Sequence, residues 1–167
     1  MKHSIRTTAF RTSALAACLA STLALAGPTG VPFKASLTTH EVIGFDPVAC
    51  QSAPFLAGTT TASGQASHLG AVTGSGTDCI TPTSAYTSVF SNGKLSVIAA
   101  NGDELRADYS GNLSPSATPP VFVINGTYRI TGGTGRFATA SGTGTVGGLE
   151  NLVTHQGQLE FKGSITY

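Results

Sequence analysis

The side chains that could do chemistry in this chain are few and scattered. His68 stands in Ser67-His68-Leu69-Gly70 and His155 lies near the C-terminus. An imidazole facing a cavity can serve as a general base, whereas one bonded to backbone only fixes register. Tyr109 shares a strand face with Leu105 and Ala107, and Tyr128 shares one with Phe122, Ile124 and Ile130. Both are core residues first and the wall of an aromatic-lined ligand site second. Arg136 follows a glycine run and either snorkels over apolar surface or contacts an anion at a cavity mouth. Asp103, directly after Asn101-Gly102, suits a turn acceptor of backbone N–H groups, and Arg106 with Asp108 reads as a surface pair.

Several chemistries are excluded by what these residues do not form. There is no nucleophile–histidine–acid arrangement and no pair of carboxylates at a recognisable spacing. His68 and His155 lack a third ligand, the cysteines form no CxxC, and no histidine stands at ligand spacing from them, so neither a metal nor a cofactor is implied. The run Thr131-Gly-Gly-Thr-Gly-Arg-Phe-Ala138 resembles a nucleotide loop superficially, but Ala138 replaces the third glycine and Gly/Thr-rich strand follows where a helix should. A tight turn between strands is the better reading of Gly132, Gly133 and Gly135, because glycine takes up positive φ without steric cost. What remains is chemistry by confinement and orientation. Neither substrate nor reaction is legible.

The first 26 residues have the form of a secretory signal: basic Lys2, Arg6 and Arg11, a small apolar run from Ser13 to Leu25, and the small-x-small site Ala24-Leu25-Ala26. A lipoprotein box ending at Cys18 is the rival reading. Residues 27–167 then form one domain, secreted or periplasmic, with no membrane-spanning helix. Removing the leader leaves six Lys and Arg against eight acids, a net charge near −2 with no basic patch, which argues against nucleic acid as a partner. It also leaves Cys50 and Cys79 as a pair, expected to be a disulfide in an exported chain.

These residues must be positioned by strands, because no mature segment sustains helical periodicity. Alternation and turn signals give eight: 33–42, 63–72, 85–90, 94–99, 104–110, 121–131, 141–148 and 153–167. Asn92-Gly93 reads as a hairpin turn and 111–120 as a surface loop. In the last strand Leu159, Phe161, Gly163, Ile165 and Tyr167 alternate with polar residues, one face buried and one wet. Eight short antiparallel strands most economically close into a barrel, which removes exposed edges and leaves room for packed side chains or one small ligand.

Tyr128-x-Ile-x-Gly-Gly-Thr-Gly-Arg-Phe137 followed by Ala140-Ser141-Gly142 resembles the signature of the allene oxide cyclase-like and dirigent-like barrels, especially their small secreted bacterial members. Ser67–Gly70, Ala100–Asp103 and the ending Gly163–Tyr167 resemble further segments of that family. The resemblance implies an all-β, eight-stranded antiparallel barrel with a ligand-sized lumen, often trimeric. In the plant relatives the lumen guides phenoxy-radical coupling or cyclises an unstable epoxide. Those plant proteins usually carry an arginine where this chain has Ser141, and no residue here matches the cyclase's catalytic carboxylate. The expectation is therefore a secreted barrel binding a small apolar or aromatic molecule, with His68, Tyr109, Tyr128 and Arg136 as its candidate contacts, which could steer a cofactor-free cyclisation or coupling. A filled barrel acting as a structural or interaction module of the cell envelope is the alternative. A small outer-membrane barrel is a third, suggested by the alternating apolar C-terminus.

Overall fold

The structure, a computed structural model, describes residues 30–167; the expected signal sequence, its expected cleavage site and Cys18 lie outside the described residues. Eight antiparallel strands follow one another as β1 (Val31–Phe45), β2 (Leu56–Ala66), β3 (Gly70–Pro82), β4 (Ser88–Ala99), β5 (Glu104–Pro115), β6 (Val121–Gly133), β7 (Ser141–Asn151) and β8 (Gln156–Thr166). Each pairs with the next, and β8 returns to β1, so the sheet closes with no free edge. One turn of 3-10 helix, Gly135–Phe137, interrupts the β6–β7 connection. Among the described residues no helix is long and apolar enough to cross a membrane.

Alternation decides which face looks inward. On β1, Phe33, Leu37, Thr39 and Glu41 are buried while Lys34, Ser36, Thr38 and His40 face solvent. On β8, Phe161 and Ile165 are buried between exposed Glu160, Lys162 and Ser164. β2 carries Thr59, Thr61, Ser63 and Gln65 outward. The lumen is thus mainly apolar, with a few polar side chains, and most of the outer wall is polar, the reverse of the polarity a lipid-embedded barrel needs.

The expected strand count was reached through two errors that cancel. The single strand 63–72 is in fact a hairpin, β2 and β3, turning at Ser67–Leu69, where His68 adopts φ 69°. Conversely, 85–90 and 94–99 are one strand, β4. Asn92 (φ 56°) sits in a bulge, with the register to β5 shifting between Phe90 and Gly93. A bulge satisfies the same preference for positive φ as a hairpin turn, so the dipeptide alone does not separate them. Cys79 to Pro82, read as irregular, belongs to β3. The strands β5 and β7 run past residues 110 and 148, and β8 begins at Gln156 rather than Val153.

The glycine turn closes the lower end of the barrel. Gly132 (φ 125°) and Gly135 (φ 54°) need positive φ, as expected. Gly133 does not; its need is space, since a Cβ there would overlap the Glu104 carbonyl oxygen. Thr134 clasps the start of β5, its N–H donating to Glu104 O at 2.9 Å and its hydroxyl accepting from Glu104 N–H at 2.9 Å. The Phe137 that follows is fully buried and plugs this end together with Ile165. Neighbouring charges also differ from expectation. Arg106 pairs with Glu104 at 2.5 Å, and Asp108 pairs instead with Lys94 at 2.7 Å and Arg129 at 3.6 Å. Asp103 accepts from the Asn101 side-chain amide at 3.0 Å and faces Arg136 at 3.7 Å.

Candidate functional site

The upper half of the lumen holds what the sequence did not announce: three carboxyl groups converging from separate strands. Glu41 is the last inward residue of the Phe33–Leu37–Thr39 series on β1 and is 8% exposed. Asp78 on β3 is 8% exposed and sits beside Cys79, whose disulfide to Cys50 anchors the β1–β2 loop to this strand. Glu150 on β7 is 5% exposed. Tyr109 on β5 completes the group, its hydroxyl donating to Asp78 Oδ2 at 2.8 Å. All four come from odd-numbered strands, and the strand registers bring their inward side chains to one cavity.

Glycines make the room. A Cβ on Gly58 would strike Glu41 Oε1 and come within 2.7 Å of Asp78 Oδ1, so the two carboxyl groups occupy the space a β2 side chain would fill. On the other flank of β1, a Cβ on Gly157 would lie 2.5 Å from Thr39 Oγ1 and 3.7 Å from the Glu150 Cβ. Thr60 contributes a long hydroxyl contact of 3.4 Å to Glu41 Oε1. Asp78 Oδ1 is buried and has no hydrogen-bond partner.

Burial without a counter-charge raises the proton affinity of the whole cluster. Asp78 is pushed up to about 6, first by burial and then by the charge of Glu41, against the opposing Tyr109 hydrogen bond. Glu41 rises further, again chiefly by burial, reinforced by the neighbouring Glu150. Burial raises Glu150 as well. The Tyr109 phenol is also raised, by burial and then Asp78, and stays protonated as a donor. Carboxyl groups this close and this buried do not ionise independently, so their titrations are coupled. The site therefore presents proton donors and acceptors together near neutral pH.

The cluster borders a cavity of about 60 Å³ whose remaining wall, apart from Thr39 and Thr60, is apolar, including Ile80, Phe90, Leu113, Ile124 and Leu159. Leu37, Leu95 and Phe161 form a waist below it, separating a second space of about 20 Å³. That lower half is filled mainly by Phe33, Tyr128 and Ile130.

The four residues expected to contact a ligand do not meet at one place. Tyr109 lines the upper cavity. Tyr128, its cross-strand neighbour, lies below the waist, packed edge-on against Phe33 and Phe161 at 6.1 and 5.4 Å, with its hydroxyl unpartnered. His68 and Arg136 do meet, but at the glycine-turn end and outside the lumen. Arg136 lies 4.8 Å over the Phe137 ring and donates to the His68 carbonyl, while His68 Nε2 is 2.9 Å from the Pro32 carbonyl. These contacts tie the β2–β3 turn to the barrel floor. His155 stands in the β7–β8 turn at φ 59°, its carbonyl accepting the Glu41 N–H at 3.0 Å.

One signal for the acid cluster existed in the sequence: Glu41 is in phase with Phe33 and Leu37, an acid on an otherwise apolar face. Asp78 and Glu150 gave none, because the sequence reading placed both outside strands. Among the described residues no group of three His, Cys, Asp or Glu is arranged to hold a metal ion. Comparison of the chain with family models, with curated proteins and with solved structures returns no match.

Proposed function

We propose that this chain is an exported barrel protein that binds one small molecule in its upper lumen, apolar in body and polar at one end, and that its acid cluster exchanges protons with that guest. The observation that carries the reading is the set of three buried carboxyl groups, none paired with a cation, facing an apolar cavity. Burying such groups is costly, and strongly raised carboxyl groups in a cleft concentrate at functional sites. A protonated carboxyl can donate to a guest oxygen or nitrogen, and the neighbouring carboxylate can accept a proton in return. That is the equipment of cofactor-free acid–base rearrangement in a confined space. The closed eight-stranded architecture and the glycine signature support membership of the allene oxide cyclase-like and dirigent-like barrels, and the Cys50–Cys79 disulfide supports export to an oxidising compartment.

The filled lower half of the barrel favours a second reading, a structural module whose lumen binds nothing. Methyl-resolved NMR separates the two. With a library of small guests, the methyl signals of Leu113, Ile124 and Leu159 should shift, and Ala62→Met, which projects into the cavity, should abolish the shifts. Guests that move only outer-wall methyls, or none at all, would leave the structural module as the function.

A further inference from the structure

The polar end of the cavity is one-sided in charge. Glu41, Asp78, Tyr109 and Glu150 come from β1, β3, β5 and β7, whereas β2, β4, β6 and β8 contribute non-titrating residues such as Thr60, Phe90, Ile124 and Leu159. Among the described residues His155 is the one base whose charge acts on Glu41, and it is exposed in its turn. Among the described residues no lysine or arginine lines the cavity. The ion pairs described for this fold use Asp103, Glu104, Asp108 and Glu160, and none involves a lumen carboxyl. An independent sign of a missing partner is Asp78, a cavity-lining residue only 8% exposed whose Oδ1 is bonded to nothing. Buried acceptors normally have donors, and here the protein supplies none.

Resting on the reading of the upper lumen as a binding site, we infer that its guest is a small organic cation, an ammonium on a short aliphatic body, donating to the Asp78, Glu41 and Glu150 carboxyl groups that line it. An ammonium offers three donors and no acceptor, which matches the carboxylate oxygens at this end of the cavity that no protein cation neutralises. The Phe90 and Tyr109 rings, 5.9 Å apart, border the same cavity and favour a cation over a neutral head group. An anion would meet three carboxyl groups in a low-dielectric space and be repelled. Size narrows the class further. At about 60 Å³ the cavity is well below the roughly 150 Å³ of an engineered apolar cavity that accepts benzene, so the body is a few carbons. A neutral amine can also enter: its lone pair takes the carboxyl proton, the O–H bond breaks as the N–H bond forms, and the product is an ammonium–carboxylate pair with no other reactant.

The test compares isobutylammonium with its uncharged counterpart isobutanol and with isobutyrate, by calorimetry and lumen methyl NMR on the whole mature chain at pH 7.5 and fixed ionic strength. Isobutylammonium should bind at least tenfold more tightly than isobutanol, and isobutyrate should not bind. Asp78→Asn should reduce that preference at least tenfold without weakening isobutanol. Should that variant fail to fold, Glu150→Gln tests the same loss. Asp108→Asn, on the outer wall, should leave the preference unchanged, and loss of preference there would overturn the inference as surface attraction. Isobutanol binding in the lumen as tightly as the ammonium would overturn the cation and leave the binding site. If none of the three moves a lumen methyl, both the inference and the binding site for guests of this size are wrong.

Discussion

At the scale of single residues, the acid cluster should write itself into the pH dependence of stability. Asp78 holds its proton more tightly folded, to about 6, than at its ordinary value near 3.8. Between those values the native state binds more protons than the unfolded chain, so stability falls as pH rises through the window. Glu41 and Glu150 are raised in the same direction and extend the decline upward. The thermal midpoint should therefore drop between pH 5 and 8. Asp78→Asn should flatten the lower part of that drop and stabilise the protein at pH 7.5 by on the order of 2 kcal/mol. A midpoint that rises over this range would contradict the raised proton affinities. Tyr128 makes the opposite kind of case. Its buried hydroxyl has no partner, so Tyr128→Phe should be neutral or stabilising by up to about 1 kcal/mol in denaturant unfolding.

At the scale of elements, the turns distinguish two uses of glycine. Gly70 has φ 76° and open space around its Cβ position, so Gly70→Ala should cost only about 1 kcal/mol, the penalty of the left-handed backbone itself. Gly133 has an ordinary φ, yet a Cβ would run into the Glu104 carbonyl that Thr134 binds. Gly133→Ala should then cost about 3 kcal/mol or prevent closure of the barrel floor, because backbone on both sides is fixed by strand pairing. Chemical denaturation of the two variants side by side tests the ranking. A costlier Gly70→Ala would mean that conformation, not space, governs this end of the barrel.

At the scale of the whole molecule, closure makes β1–β8 pairing and the disulfide the long-range ties. Cys50 and Cys79, separated by 29 residues, join the β1–β2 loop to β3 above the acid cluster. Cys50→Ser should lower stability by roughly 3 kcal/mol under oxidising conditions, on the chain-entropy model, and have little effect under reducing ones. Loss of the same stability in both conditions would assign the effect to packing of the buried Cys50 site instead. Disulfide loss should also loosen the support behind Asp78, so the lumen methyl signals of Ile80 should broaden in the variant.

The sequence by itself determined the all-β class, the antiparallel barrel, the apolar faces of β6 and β8, and the cysteine pair. Those follow from period-two alternation and from local turn chemistry, which act over a few residues. It mistook a bulge at Asn92-Gly93 for a turn and a turn at Ser67–Leu69 for continuous strand, since the same backbone preference serves both. Only the tertiary structure decided the site. Glu41, Asp78 and Glu150 are far apart in the chain, and their meeting depends on register between strands rather than on any spacing. Whether an aromatic side chain lines a cavity or fills one depends on depth in the barrel, which separates Tyr109 from its cross-strand neighbour Tyr128 although both lie on inward faces.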